Sequence, residues 1–168
     1  MIHIISFPPI VCTDAEILIL GSIPGKRSLE KNQYYAHPYN CFWPIMGKLF
    51  GAGPELEYEK RTKILSSCGI ALWDVLKTCS REGSLDSAIK ESSIVPNDFD
   101  RFFKKYVNIK AVFFNGLKSE QVYKKYVLPD LAQTVTHIKY TRLPSTSPAN
   151  AIKSRNEKLK MWQVIKER

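Results

Sequence analysis

The sequence predicts an α/β fold on a four-stranded parallel sheet, and three observations predict it. Four short apolar runs of strand length recur along the chain, and helix-spaced apolar residues lie between them. The composition, 44% hydrophobic and 24% charged, is that of a globular chain. Strands that alternate with helices lie parallel and are covered on both faces. At 168 residues the chain suits a single domain over 1–168, large enough to bury a core without a disulfide or metal.

The first strand is read over 16–20, an apolar run that stops at Gly21. The turn Gly21-Ser-Ile-Pro-Gly25 comes next and opens a polar loop to about residue 39. Phe42, Ile45, Met46, Leu49 and Phe50 recur at helical spacing, so a helix starts between 40 and 44 and ends at Gly51-Ala-Gly-Pro54. A helix over 55–67 leads to the second strand, 68–75. The stretch 80–97 is polar and ambiguous, with a short helix from Leu85. A helix over 98–106 precedes the third strand, 110–115, which ends in the turn Asn115-Gly116. Ser119 starts the next helix, with Glu120 in its first turn. The fourth strand, 137–143, runs into Pro144-Ser-Thr-Ser-Pro148, and a last helix covers 150–166.

Lys and Arg total 25 against 16 Asp and Glu, a net charge of +9. Such a field favours polyanionic partners, nucleic acid above all. The cations concentrate in 101–125 and 153–168; charged helix faces are often only solvated, so charge sets a direction and no more. Residues 1–11 are apolar but lack a basic start and contain Pro8 and Pro9. No apolar run reaches the ~18 residues of a membrane span, so neither an export signal nor a membrane segment is expected, and a cytoplasmic location is. The four cysteines, Cys12, Cys41, Cys68 and Cys79, form no C-x-x-C pair. Buried, reduced thiols are expected, with no metal and no cofactor.

In parallel sheets ligands bind beyond the carboxyl ends of the strands. Three segments leave such ends, after Leu20, at Asn115-Gly116 and after Leu143, and the unusual residues sit in all three. Neither phosphate-loop pattern, G-x-x-x-x-G-K-[ST] or G-x-G-x-x-G, occurs after the first strand. The loop there carries Gln33-Tyr-Tyr-Ala-His-Pro-Tyr-Asn-Cys-Phe-Trp43 instead. Aromatic rings mixed with amide and imidazole groups suit a pocket that stacks a flat ring and bonds its edges. An aromatic cluster at a helix start, with Asn40 as cap, is the plain alternative. The hydroxyls and backbone amides of 144–148 can grip a phosphate or simply cap the last helix. Asn115 either faces the cleft or serves the turn. His37 is the one titratable base candidate in these loops, and they hold no carboxylate pair, G-x-S-x-G elbow or obvious catalytic cysteine.

Taken in order, Gly21-Ser-Ile-Pro-Gly25, Gln33-Tyr-Tyr-Ala36, Asn40-x-Phe-Trp43, Phe114-Asn-Gly116 and Leu143-Pro-Ser-Thr-Ser-Pro-Ala-Asn150 resemble the uracil-DNA glycosylase superfamily. Within it the sequence is similar to the hypoxanthine-DNA glycosylase (deoxyinosine glycosylase) family. The resemblance implies a three-layer α/β/α sandwich and a monofunctional enzyme that cuts a deaminated base, hypoxanthine foremost, from its sugar in DNA. It places Ser22, Ile23, Pro24, Gly25, Tyr35 and Phe42 at the base, with Tyr35 stacking on it. Asn40 and Asn115 take the catalytic roles; Ile23 stands where most branches carry the Asp or Asn that positions water, and cannot do so. Pro144, Ser145, Thr146, Ser147, Pro148 and Asn150 would hold DNA, and the leucine wedge of some relatives is replaced near Ser147. The implied partner is DNA with a deaminated base; no obligate protein partner is expected, and the chain is expected to act as a monomer. A related glycosylase acting on uracil or xanthine, an inactive nucleic-acid binder and a hydrolase of free nucleosides are the competing readings.

Overall fold

The structure is a computed structural model that describes residues 1–131 and 133–167, Thr134 by its backbone alone. In chain order its elements are β1 (Ile2–Ile5), β2 (Ile17–Gly21), α1 (Lys26–Lys31), α2 (Phe42–Phe50), α3 (Tyr58–Ser67), β3 (Ile70–Asp74) and β4 (Leu76–Arg81). Next come β5 (Val95–Pro96), α4 (Phe99–Lys105), β6 (Ala111–Asn115), α5 (Leu117–Tyr126), β7 (Lys139–Leu143) and α6 (Arg155–Trp162), with short 3-10 turns between.

The main sheet has the order β3-β2-β6-β7, every pair parallel. Successive side chains of a strand point to opposite faces, and here both faces are covered. Leu18, Leu20, Ala71, Trp73, Val112 and Phe114 meet the rings of α4 and Tyr123 of α5 on one side. Ile17, Ile19, Ile70, Leu72, Ala111 and Phe113 meet α2, Leu65 of α3 and Trp162 of α6 on the other. Helix, sheet and helix form three layers, because β2 and β3 are apolar at every buried position but their last. β7 exposes Lys139, Thr141 and Arg142 and closes one edge. All four parallel strands therefore match the sequence expectation to within a few residues.

The sequence does not predict a second sheet, yet one is present. β1, β4 and β5 form an antiparallel three-stranded sheet in the order β1-β4-β5. β4 mixes Lys77, Thr78 and Ser80 with Leu76 and Cys79, which hides it in a polar stretch. The helix α1 stands where a loop is expected, since its six residues bury only Ser28 and show no apolar stripe. The last helix begins at Arg155 rather than near 150: Ser154 Oγ accepts from the Glu157 amide while Glu157 accepts from the Ser154 amide, a reciprocal cap that fixes the first turn there. Similarly α5 starts at Leu117, and Ser119 is a buried helical residue whose hydroxyl donates to the Gly116 carbonyl (3.0 Å). Asp98 does cap α4, accepting from the Arg101 amide (3.0 Å). All four cysteines are free thiols; Cys41 and Cys79 are buried as expected, whereas Cys68 is exposed. Among the described residues no helix is long and apolar enough to cross a membrane, and no cluster of three metal-ligating side chains occurs.

Candidate active site

Four strands end together at Gly21, Asp74, Asn115 and Leu143. Beyond these ends lies a cavity of about 520 Å³, within the range usual for small-ligand sites, roughly 300–1,000 Å³. The turn 21–25 forms one wall, Tyr35, His37 and Asn40 a second, and residues 145–150 a third. Asp74 and Asn115 lie between them.

The aromatic wall is held from behind. The Tyr58 hydroxyl accepts from the Tyr34 amide (3.0 Å), the Trp43 indole donates to the Tyr34 carbonyl (2.8 Å), and the Tyr34 hydroxyl donates to the Pro8 carbonyl (3.0 Å). With Tyr34 pinned, Tyr35 adopts a left-handed backbone, φ +57°. For a bulky residue this costs about 1–3 kcal/mol, a strain that folds tend to keep at functional positions. Its ring lies on Phe42, centroids 4.0 Å apart and planes at 26°. Phe42 itself is fully buried, packed edge-on against Trp43 and Trp162. The expectation that Phe42 faces the base is corrected: it backs Tyr35 and does not line the cavity. The neighbouring sequence does not say which ring of the cluster is outermost.

Asn40 accepts from the Phe42 amide through Oδ1 (2.9 Å) and so turns the chain into α2. Its Nδ2 has no protein partner among the described residues and is left as a donor at the cavity wall. His37 is less available, because its Nδ1 accepts from the Tyr39 amide (3.1 Å).

Asn115 is engaged at both ends. Its Nδ2 donates to Thr146 Oγ1 (2.9 Å), and its Oδ1 accepts from the Thr146 amide (2.9 Å). The Thr146 carbonyl in turn accepts from the Cys41 amide (3.0 Å). One buried threonine thus ties the end of β6, the start of α2 and the loop after β7. Gly116 permits this approach, since a Cβ there would sit 2.9 Å from the Ser145 Cβ and its φ is +97°. Thr146 is 1% exposed and its Oγ1 accepts from Asn115, so it organises the loop from a buried position. One further expectation is corrected. The Pro144 carbonyl accepts from the Trp162 indole (3.0 Å), and Pro144 does not line the cavity. Ser145 and Ser147 accept backbone amides through Oγ, which leaves their hydroxyl protons to donate. Asn150 Nδ2 donates to the Ser145 carbonyl (3.2 Å), and the buried Lys158 ammonium donates to the Asn150 carbonyl (2.7 Å).

The turn 21–25 is equally fixed. Arg81, 1% exposed, donates to the Pro24 carbonyl through Nη2 (2.7 Å) and to the Gly83 carbonyl through Nε (3.1 Å). Ser22 donates to Asp86 (2.8 Å), and the Gly21 and Ser22 carbonyls accept from the Val75 and Leu76 amides. Ser22, Ile23, Pro24 and Gly25 all line the cavity.

Two carboxylates at the cavity escape the sequence reading. Asp74 ends β3, the one strand end not counted among the three loops, and Asp86 arrives from the 80–97 stretch. The available signal was an acid closing the apolar run Ile-Ala-Leu-Trp-Asp74. Asp74 is buried, and its Oδ2 makes no hydrogen bond among the described residues. Gly21 makes room for it, since a Cβ there would collide with Asp74 Oδ1. Burial, reinforced by the Asp86 charge and opposed by Arg81, pushes the Asp74 carboxyl up to about 7. Burial also raises Asp86, against its hydrogen bond from Ser22 and the nearby Arg81 charge. Since an unfolded Asp titrates near ~3.9, the folded protein holds a proton on Asp74 that the unfolded chain has lost. The contribution of Asp74 to stability therefore falls as pH rises from about 4 to about 7 and is level beyond. Asp74→Asn removes this loss, and its melting temperature is expected to exceed that of the wild type by more at pH 8 than at pH 4.5. An equal difference at both values would contradict the assignment.

The basic stretches differ. In 101–125, Lys104 pairs with Asp100, Lys110 with Glu16, Lys118 and Lys125 with Glu91, and Lys124 with Glu120. No ion pair among the described residues involves 153–167, which lie directly after the cavity loop.

A parallel three-layer α/β/α fold with a cavity beyond its strand ends defines a class of α/β proteins that bind ligands at the carboxyl rim of the sheet, and here Tyr35, Asn40 and Asn115 help wall that cavity. The chain belongs to the uracil DNA glycosylase superfamily, whose family model matches residues 8–166. It is 37% identical over 160 residues to the hypoxanthine DNA glycosylase of Methanosarcina acetivorans, covering 95% of each chain. It is 44% identical over 114 residues to the hypoxanthine DNA glycosylase of Methanosarcina barkeri, covering 67% of this chain and 71% of that one. The solution NMR structure of a protein from Methanosarcina acetivorans matches with TM-score 0.77 at 34% identity, over 98% of this chain and 99% of that one.

Proposed function

We propose that this chain is a monofunctional DNA glycosylase that excises hypoxanthine, the deaminated form of adenine, from deoxyinosine in DNA. The observation that carries this reading is the cavity in which a rigidly backed Tyr35 ring and the free Asn40 amide share one wall. The names of the two Methanosarcina relatives favour hypoxanthine among deaminated bases.

A base within a duplex is out of reach, so its nucleotide must swing out at a cost of a few kcal/mol, least for a mispaired lesion. Stacking on Tyr35 recovers about 1–3 kcal/mol of that. As the glycosidic bond breaks, its electron pair leaves with the base and positive charge develops on the sugar. The Asn40 Nδ2 group donates to the developing negative charge or holds the water, and the phosphates of the DNA favour the sugar cation. Water adds its hydroxyl to the anomeric carbon, and its proton ends on the base or in solvent. Ile23 offers no base, which suits a dissociative path in which water placement outweighs proton removal. Asn115 acts one step back, by holding the 143–148 loop through Thr146. Ser145, Ser147 and Asn150 flank the DNA backbone in this reading. Every group used comes from one domain of one chain, which is the basis for expecting a monomer.

The test is incubation with inosine-containing duplex and then alkaline cleavage at abasic sites, run beside uracil, xanthine and free inosine. Excision strongest from the inosine duplex is expected. Turnover of free inosine alone would replace the reading with a nucleoside hydrolase, and binding without excision would replace it with a nucleic-acid binder.

A further inference from the structure

We propose that Asp74 is the specificity-determining residue that reads the edge of the extruded base, pairing with adjacent N–H and C=O groups such as those of hypoxanthine. The inference rests on the glycosylase reading above and adds to it the group that recognises the base.

Asp74 stands at the carboxyl end of β3, on the cavity wall between the turn 21–25 and the Tyr35 hydroxyl. Its backbone is fixed, since Asn97 Nδ2 donates to its carbonyl (2.8 Å). Its side chain is buried yet Oδ2 has no partner among the described residues. Buried polar atoms in folded proteins are almost always paired, so an orphan beside a ligand cavity points to a missing partner. The Tyr35 hydroxyl is a second buried orphan at the same place. Gly21 keeps the carboxyl at the cavity, because any side chain there would occupy the position of Oδ1. The neighbouring cavity polar groups are otherwise committed: Ser22 to Asp86, and Asn115 to Thr146.

The protonation state decides what this carboxyl can read. An ionised carboxylate offers only acceptors and repels a carbonyl oxygen, whereas a protonated one offers one donor and one acceptor side by side. The lactam edge of hypoxanthine presents the complement, an N–H next to a C=O. The charged and titratable groups facing Asp74 are Asp86 from the loop after β4, Arg81 from β4, Tyr34 and Tyr35 from the aromatic wall, and Tyr58 from α3. Lys26, Arg27 and His37 line the same cavity. Arg81 spends its hydrogen bonds on Pro24 and Gly83, so burial prevails and the carboxyl holds its proton up to about pH 7.

Single-turnover excision of hypoxanthine is to be measured from pH 5.5 to 9 for the wild type, Asp74→Asn and Asp74→Leu, with binding to abasic-site DNA as a second readout. The wild-type rate is expected to fall at least tenfold from pH 6 to 9. Asp74→Asn, whose carboxamide keeps one donor and one acceptor, is expected to excise hypoxanthine without that alkaline limb. It also serves as the control for titration of the substrate and of other groups. Asp74→Leu is expected to lose at least tenfold at pH 6 while binding abasic DNA as the wild type does, since that product carries no base. The inference is overturned by a wild-type rate that rises through pH 7 together with an inactive Asn variant, which would make Asp74 a general base. It is overturned equally by full activity in Asp74→Leu, or by an alkaline limb that survives in Asp74→Asn. Lack of excision by the wild type on every base would remove the glycosylase reading, and this inference with it, whatever the variants do.

Discussion

Replacing Asn40 by alanine is expected to slow single-turnover excision about 100-fold, the usual range for loss of one preorganised donor being about 10²–10³. Two functions of one side chain are removed together, and they can be separated. Oδ1 turns the chain into α2 by accepting from the Phe42 amide, and losing one such hydrogen bond costs about 0.5–1.5 kcal/mol. Nδ2 is the group that faces the cavity without a protein partner among the described residues. Asn40→Asp keeps the acceptor and deletes the donor, so it is expected to melt close to the wild type and still react slowly. A wild-type rate in the Asp variant would exclude the amide as the reacting group. Slow reaction in both variants with an intact fold places the effect on the donor.

Asn115→Ala has the second largest expected effect, and it arises differently. Both ends of this carboxamide bind Thr146, so alanine leaves a buried amide and hydroxyl unpaired, at about 1–3 kcal/mol. For a chain of this size that lowers the melting temperature by roughly 2–4 °C per kcal/mol. The loop carrying Ser145 and Ser147 is freed at the same time, and excision is expected to fall at least tenfold. Thr146→Val removes the same hydroxyl from the other side. If Asn115 acts through this contact, the double variant is hardly worse than either single one, the signature of a shared interaction. Additive losses, or a slow enzyme with an unchanged melting temperature, would instead put Asn115 in direct contact with the reacting atoms.

The parallel sheet is legible in the sequence because its strands are buried on both faces and read as unbroken apolar runs, Ile17 to Leu20 and Ala111 to Phe114 among them. Their carboxyl ends come with them, and so does the place of the site. The small antiparallel sheet is not legible, because β4 is half wetted and its pairing partner β1 lies some 75 residues upstream, with Ile2 opposite Arg81. Polar roles are the hardest to read. Nothing local distinguishes an Asn that faces a ligand from one that grips a threonine 31 residues away, as Asn115 does. An aromatic cluster does not announce that Tyr35 is outermost and Phe42 behind it. Asp74 escapes notice because it closes a hydrophobic strand, although a carboxyl carried by such a run is one the fold is bound to desolvate.

The ion pairs across α4 and α5 change what the formal charge of +9 means for DNA. Cations already matched to Glu91, Asp100 and Glu120 displace few counterions from a phosphate backbone. The dependence of affinity on salt reports only the phosphates neutralised, with a slope of about −0.9 per contact on duplex DNA. The unmatched Lys153 and Arg155, beside the cavity loop, and Lys26 within its wall are the side chains placed to set that slope. A protein so charged would then hold its substrate through a shallow ionic dependence, with most of its grip on the lesion coming from the cavity and not from the field.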